Sequence, residues 1–141
     1  MPLRRQLVAL IATSGFVGCA MPTEPIALAV NVQFVELTSE AELRAWPFTP
    51  TIEGGSGVRI RGLGQFGCGS GVGAAILRDD HLRVMIGPTL KPDICPAYYA
   101  TWRPFEATVQ NLPPGSYRVR VVVAGQSGQA EFTVRVLPPS G

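Results

Sequence analysis

Two neighbouring stretches constrain this fold more than any other part of the chain: SYRVRVVVA, residues 116–124, and QAEFTVRVL, residues 129–137. Every second position is apolar or aromatic. Tyr117, Val119, Val121 and Val123 fall on one side, and Ala130, Phe132, Val134 and Val136 on one side of the other stretch, with Arg118, Arg120 and Arg135 in between. Side chains of a strand alternate between two faces, so this spacing gives one apolar face and one charged face; on a helix the same residues would scatter around the axis. The connecting GQSG, residues 125–128, supplies two glycines for backbone positions with positive φ. The pattern predicts a hairpin of two half-buried strands.

The same period of two recurs along the chain. LAVNVQF sets Leu28, Val30, Val32 and Phe34 against Ala29, Asn31 and Gln33. GVRIRGL sets Val58 and Ile60 against Arg59 and Arg61. GAAILR and HLRVMIG flank Asp79-Asp80 as a second hairpin with Leu82, Val84 and Ile86 inward, and FEATVQN puts Phe105, Ala107 and Val109 on one face. Two segments break the period. Ser39 and Glu42 have capping-box spacing, so SEAELRAW is predicted to form a short helical turn that stops before Pro47; residues 87–101 hold Pro88, Pro92 and Pro96 and form no regular element. About seven short strands with frequent turns predict an all-β domain over residues 26–138, in which two antiparallel sheets pack face to face.

The N-terminus reads as an address. Arg4 and Arg5 precede an apolar run from Leu7 to Val17, too short to span a bilayer, which needs about 20 residues. Phe-Val-Gly-Cys follows at 16–19. This segment resembles the lipobox of bacterial lipoproteins. The resemblance implies removal of residues 1–18, lipidation of Cys19 as the new N-terminus, and a short Pro-bearing tether over residues 19–25. It also implies anchoring to the envelope, with Ala20 rather than Asp after the cysteine favouring the outer membrane. The alternative is an ordinary secretory signal in which Cys19 is incidental. The chain has 12 basic and 10 acidic residues; loss of Arg4 and Arg5 with the signal leaves ten of each. That balance predicts no basic patch for nucleic acid or anionic lipid.

With Cys19 lipidated, Cys68 and Cys95 remain, and an even pair in an oxidising compartment predicts a disulfide. Closing the loop from 68 to 95 contributes roughly 3–4 kcal/mol in the chain-entropy model. The competing reading, free or metal-binding thiols, finds no His or Cys companion at ligand spacing. A second resemblance lies in NLPPGSYRVRVVV, residues 111–123. It is similar to the lead-in to the penultimate strand of bacterial immunoglobulin-like and fibronectin-like sandwich domains, through Leu112, Pro114, Gly115, Tyr117, Val119 and Val121. It implies a tyrosine corner, with the ring inside and the hydroxyl on nearby backbone. Cys68 and Cys95 do not sit where antibody domains place their inter-sheet bridge.

Chemistry is sparse. Gly62, Gly64 and Gly67 in VRIRGLGQFG spell G-x-G-x-x-G, but the helix, second parallel strand and ribose-binding acid of a dinucleotide fold do not follow. The glycines are expected to let the chain bend at a sheet corner. No P-loop is present, and Ser56, Ser70 and Ser116 lack the nucleophile-elbow context. Arg59, Arg61, Arg118, Arg120 and Arg135 occupy outward positions, as a solvated face or a stripe for an acidic partner. No cofactor, nucleotide or nucleic acid is expected. Phe66, Tyr98, Tyr99 and Trp102 flank the two cysteines and form a candidate binding surface for an envelope protein, peptide or glycan; the alternative is that they cap the core. The expected role is a non-catalytic binding or assembly module. The alternative is an exported hydrolase or metal-dependent enzyme using Asp79, Asp80 and His81.

Overall fold

The structure, a computed structural model, describes residues 24–67, 70–89 and 102–139. Cys19, Cys68, Cys95, Tyr98 and Tyr99 lie outside the described residues, and with them the lipidation and disulfide expectations. Within the described residues the chain is all-β: β1 (Ile26–Phe34), a short helix α1 (Glu40–Ala45), then β2 (Thr51–Glu53), β3 (Val58–Gln65), β4 (Gly71–Arg78), β5 (His81–Pro88), β6 (Trp102–Val109), β7 (Gly115–Val123) and β8 (Ala130–Val136).

The alternating residues land as their period requires. Val58, Ile60, Leu82, Val84, Phe105, Ala107, Val119 and Val121 are each no more than 1 % exposed, while the arginines between them face out. Leu28, Val30, Val32 and Phe34 of β1 pack against this core and are partly buried. The Ser39 hydroxyl accepts from Glu42 N–H, and the Glu42 carboxylate reaches back to the Ser39 and Thr38 N–H groups, which caps α1 at its start. Those N–H groups and the Thr38 hydroxyl hold the Glu42 carboxyl below its ordinary pKa, Thr38 N–H contributing most. Asp79 takes a positive φ of 54° in the two-residue β4–β5 turn.

The strand arrangement departs from the expected one in three ways. Among the described residues there are eight strands, the added one being the three-residue β2. They form one continuous ladder, ordered β2-β3-β6-β1-β4-β5-β7-β8. And β5 pairs with β7 in parallel, so the sheet is mixed rather than wholly antiparallel. The reason is β1, which bonds to β6 along one edge and to β4 along the other and so joins what would otherwise be two separate sheets. The coiled ladder still packs its inner surfaces face to face. Its ends nearly meet, forming a barrel that is almost closed: Leu137 N–H, just beyond β8, donates to Gly55 carbonyl, just beyond β2, at 2.7 Å. Gln65 N–H at the end of β3 donates to Ala124 carbonyl at 2.9 Å. The seam needs glycine at 54, because a Cβ there would lie 2.3 Å from the Arg135 carbonyl oxygen.

Tyr117 makes the expected corner. Its ring is buried and its hydroxyl donates to the Pro113 carbonyl. Burial raises its pKa above the ordinary tyrosine value.

Candidate functional site

The end of the barrel where β3 stops and β6 starts carries the aromatic residues. Phe66 follows β3, and Gly67 turns the chain with φ 62°. Phe66 does not face solvent. Its side chain is 1 % exposed and meets Phe34 and Phe105 edge-on, with ring centres 5.0 and 5.6 Å apart. The G-x-G-x-x-G glycines explain this. Gly62 and Gly64 point inward, where a Cβ at Gly62 would meet the Phe105 ring at 3.3 Å and one at Gly64 the Phe66 ring at 2.8 Å. Two glycines thus leave room for two aromatic rings, and the third supplies the turn. Phe66 is a core residue, a correction to its place in the candidate binding surface. The guanidinium of Arg103 lies over the other face of this cluster, 3.7 Å from the Phe34 ring centre.

Trp102 does reach the surface. It opens β6 opposite Gln65, is 39 % exposed, and packs tilted against Phe48 with ring centres 5.1 Å apart at 47°. Phe48 is 55 % exposed and was not singled out in the sequence. The only signal for it is an aromatic side chain between Pro47 and Pro50, where the chain has no apolar period. Three hydrogen bonds hold this segment. Trp46 indole N–H donates to the Gly62 carbonyl at 2.9 Å, and Gln126 amide donates to the carbonyls of Phe48 at 2.6 Å and Leu63 at 2.8 Å. Gln126 stands in the β7–β8 loop just after Gly125, whose φ of 85° bends that loop towards β3.

Between Phe48, Pro50 and Trp102 on one side and Gln126, Ser127 and Gln129 on the other lies an open groove of about 300 Å³. Among the described residues no charged side chain lines it. It offers two ring faces, amides and hydroxyls, a set that fits an uncharged ligand with a flat apolar face. A second groove, of about 480 Å³, lies between the glycine-rich 54–57 loop and the end of β6, lined also by Glu53, Arg59 and Glu106.

The other sequence candidates are dispersed. Asp80 and His81 sit in the β4–β5 turn with Oδ1 and Nδ1 2.8 Å apart, both side chains more than half exposed, and neither lines either groove. Among the described residues no three His, Cys, Asp or Glu side chains are grouped to hold a metal. The arginines divide into two sets. Arg59 and Arg61 flank Glu106 at 3.6 and 3.0 Å, whereas Arg118 and Arg120 stand beside His81 and Arg83 on another face, with Arg120 bonded to Glu131 at 3.1 Å. Among the described residues no helix is long and apolar enough to cross a membrane. Comparison with family models, with curated proteins and with solved structures found no match.

Proposed function

We propose that this chain is an exported lipoprotein, acylated on Cys19, whose β-domain is a non-catalytic binding module with its recognition site in the groove at Phe48 and Trp102. One observation carries the binding reading. Two large aromatic rings stay exposed and packed together at the mouth of a groove, although the domain has an aromatic core a few residues away that takes Phe34, Phe66 and Phe105. Gln126 holds the Phe48 backbone and the ladder to Gln65 holds that of Trp102, so little ordering cost remains at binding. The absence of charge in the groove selects a neutral ligand, and a sugar ring or an uncharged peptide segment of the envelope suits it. β1 enters the barrel at the end opposite the groove, where Ile26 pairs with Leu77 beside the β4–β5 turn. A lipid on Cys19 would therefore leave the groove at the far end from the anchor. The finer immunoglobulin-like affiliation belongs to the same proposal; the Tyr117 corner supports it, and the continuous ladder is where this chain departs from that pattern.

The test pairs stability with recognition. Trp102→Ala and Phe48→Ala are expected to stay within about 0.5 kcal/mol of wild type, as surface changes do, and to lose a photo-cross-linked envelope adduct formed from position 127, which lines the groove without holding it. Phe66→Ala, from the core, is expected to cost about 3–5 kcal/mol. An adduct unchanged in both groove variants would defeat the proposal, as would melting losses at 48 and 102 as large as at 66.

A further inference from the structure

The outer face of β1, β4, β5 and β7 is unusually apolar for a surface. Val72, Ile76 and Met85 are 48, 42 and 41 % exposed, with the exposed alanines 27, 29 and 74 between them. Register makes the patch continuous. Ala29 pairs with Ala74, Ala74 with Met85 and Met85 with Val122, in one row across four strands about 4.8 Å apart. Ala27 and Ile76 stand in the next row.

Towards the Asp79–Asp80 turn the same face becomes cationic. Ile76 is opposite Arg83, Arg83 is beside Arg120, and His81 lies between Arg78 and Arg118. Of these four arginines only Arg120 has a carboxylate partner among the described residues, Glu131. Asp80 is turned onto His81. This end of the face gathers four arginines, Arg78, Arg83, Arg118 and Arg120, against three carboxylates, Asp79, Asp80 and Glu131, a margin of one positive charge, with Arg78, Arg83 and Arg118 sharing one end of the face.

We infer that this face rests on an anionic phospholipid surface, apolar residues against the interface and arginines on the headgroup phosphates. The inference builds on the reading that Cys19 is acylated. Ile26 stands seven positions after Cys19, a reach of at most about 25 Å when extended. β1 starts at the arginine end of this face, where Ile26 pairs with Leu77. A lipid on Cys19 therefore brings the cationic end, rather than the groove end, to the bilayer. Charge complementarity and the anchor's position select the same occupant. Each arginine at an anionic surface raises binding about fivefold, and guanidinium pairs with phosphate in a bidentate fork.

Met85 lies mid-patch and reports occupancy through its oxidation rate. The exported chain is mixed with phosphatidylethanolamine–phosphatidylglycerol vesicles or with phosphatidylcholine vesicles, exposed to a dilute peroxide pulse and mapped by mass spectrometry, which also reads the state of Cys19. Met85 sulfoxide formation is expected to slow at least about fivefold on the anionic vesicles relative to the neutral ones, with Trp102 oxidation unchanged. The exposed-site variant Arg78→Ser/Arg83→Ser/Arg118→Ser should restore the rate while melting like wild type. Acylated Cys19 and vesicle flotation together with a solution-like Met85 rate would overturn the face proposal and leave the anchor standing. An unmodified Cys19 would defeat the anchor; Met85 protection on anionic vesicles would then still support the face, and its absence would overturn it. Protection that rises with protein concentration without vesicles would assign the face to a second copy of the chain and overturn the lipid assignment.

Discussion

Gly54 and Gly55 are adjacent, yet alanine at the two positions should act in opposite directions. A Cβ at 54 would lie 2.3 Å from the Arg135 carbonyl oxygen and 3.1 Å from the Arg135 backbone nitrogen, whereas one at 55 meets nothing within 4 Å. Neither glycine has positive φ, so the difference is one of space alone. At 54 the obstacle is backbone, which cannot rotate aside, and the seam must retreat by roughly 1 Å to regain van der Waals contact. That retreat strains the Leu137–Gly55 hydrogen bond and loosens the cover over Val136, which is 2 % exposed. Overpacking of this kind costs about 1–3 kcal/mol. Restricting the unfolded chain returns about 0.4–1 kcal/mol in either variant. The net expectation is a loss of about 1–2 kcal/mol for Gly54→Ala and a gain of about 0.4–1 kcal/mol for Gly55→Ala. Urea unfolding reads this directly. With a slope of about 1–3 kcal/mol per molar, the two midpoints should separate by about 1 M. Coincident midpoints, or Gly54→Ala above wild type, would show that the β2 and β8 edges do not meet as described.

Further expectations concern the anchor, the staple and the corner. Cys19→Ser should release the protein from the envelope or leave it unprocessed, whereas an unmodified Cys19 in a membrane-derived sample would refute lipidation. Non-reducing peptide mapping should recover Cys68 cross-linked to Cys95, and replacing both with Ser should lower stability by roughly 3–4 kcal/mol; two freely alkylated thiols in the native protein would exclude the bridge. Tyr117→Phe should cost about 1 kcal/mol through the lost bond to Pro113. Because burial raises the folded pKa, the neutral ring's contribution is whole below the ordinary tyrosine value of 10.0 and is lost as pH rises through the folded value. The alkaline limb of a stability–pH curve should therefore be shallower in Tyr117→Phe, and an identical limb would place the hydroxyl in water.

Local features of this chain were legible because they depend on neighbours in sequence. Alternation sorted Val58, Ile60, Leu82, Val84, Val119 and Val121 to the interior, capping-box spacing located α1, and Tyr117 marked its own corner. Pairing was not legible. That β1 bonds to both β4 and β6, and that β5 runs parallel to β7, depends on which distant edges meet, and period two is the same for every partner. β2 is too short for alternation to register. Phe132, expected inward, is 38 % exposed because β8 ends the ladder and is covered from one side only. At the candidate site the sequence located Trp102 but misplaced Phe66, whose ring turns inward into space left by glycines two and five residues away, at 64 and 71. Phe48 carried no pattern, since its exposure depends on a hydrogen bond from Gln126, distant in the chain.

The central place of β1 has a consequence for the order in which the molecule can assemble. The first strand of the domain to leave a ribosome or a translocation pore waits across the longest stretch of chain for its second ladder partner, β6. Val30 pairs with Gly73 on one side and with Val109 on the other. Until β6 has emerged, β1 keeps an open edge, and the seam cannot clasp until Leu137 arrives to meet Gly55. Such non-local pairing places folding among the slow, millisecond-to-second topologies. Emergence of the chain, rather than collapse of its core, would then set the pace. For that interval the unpaired edge of β1 is open to neighbours, and a holdase chaperone would have its greatest effect there.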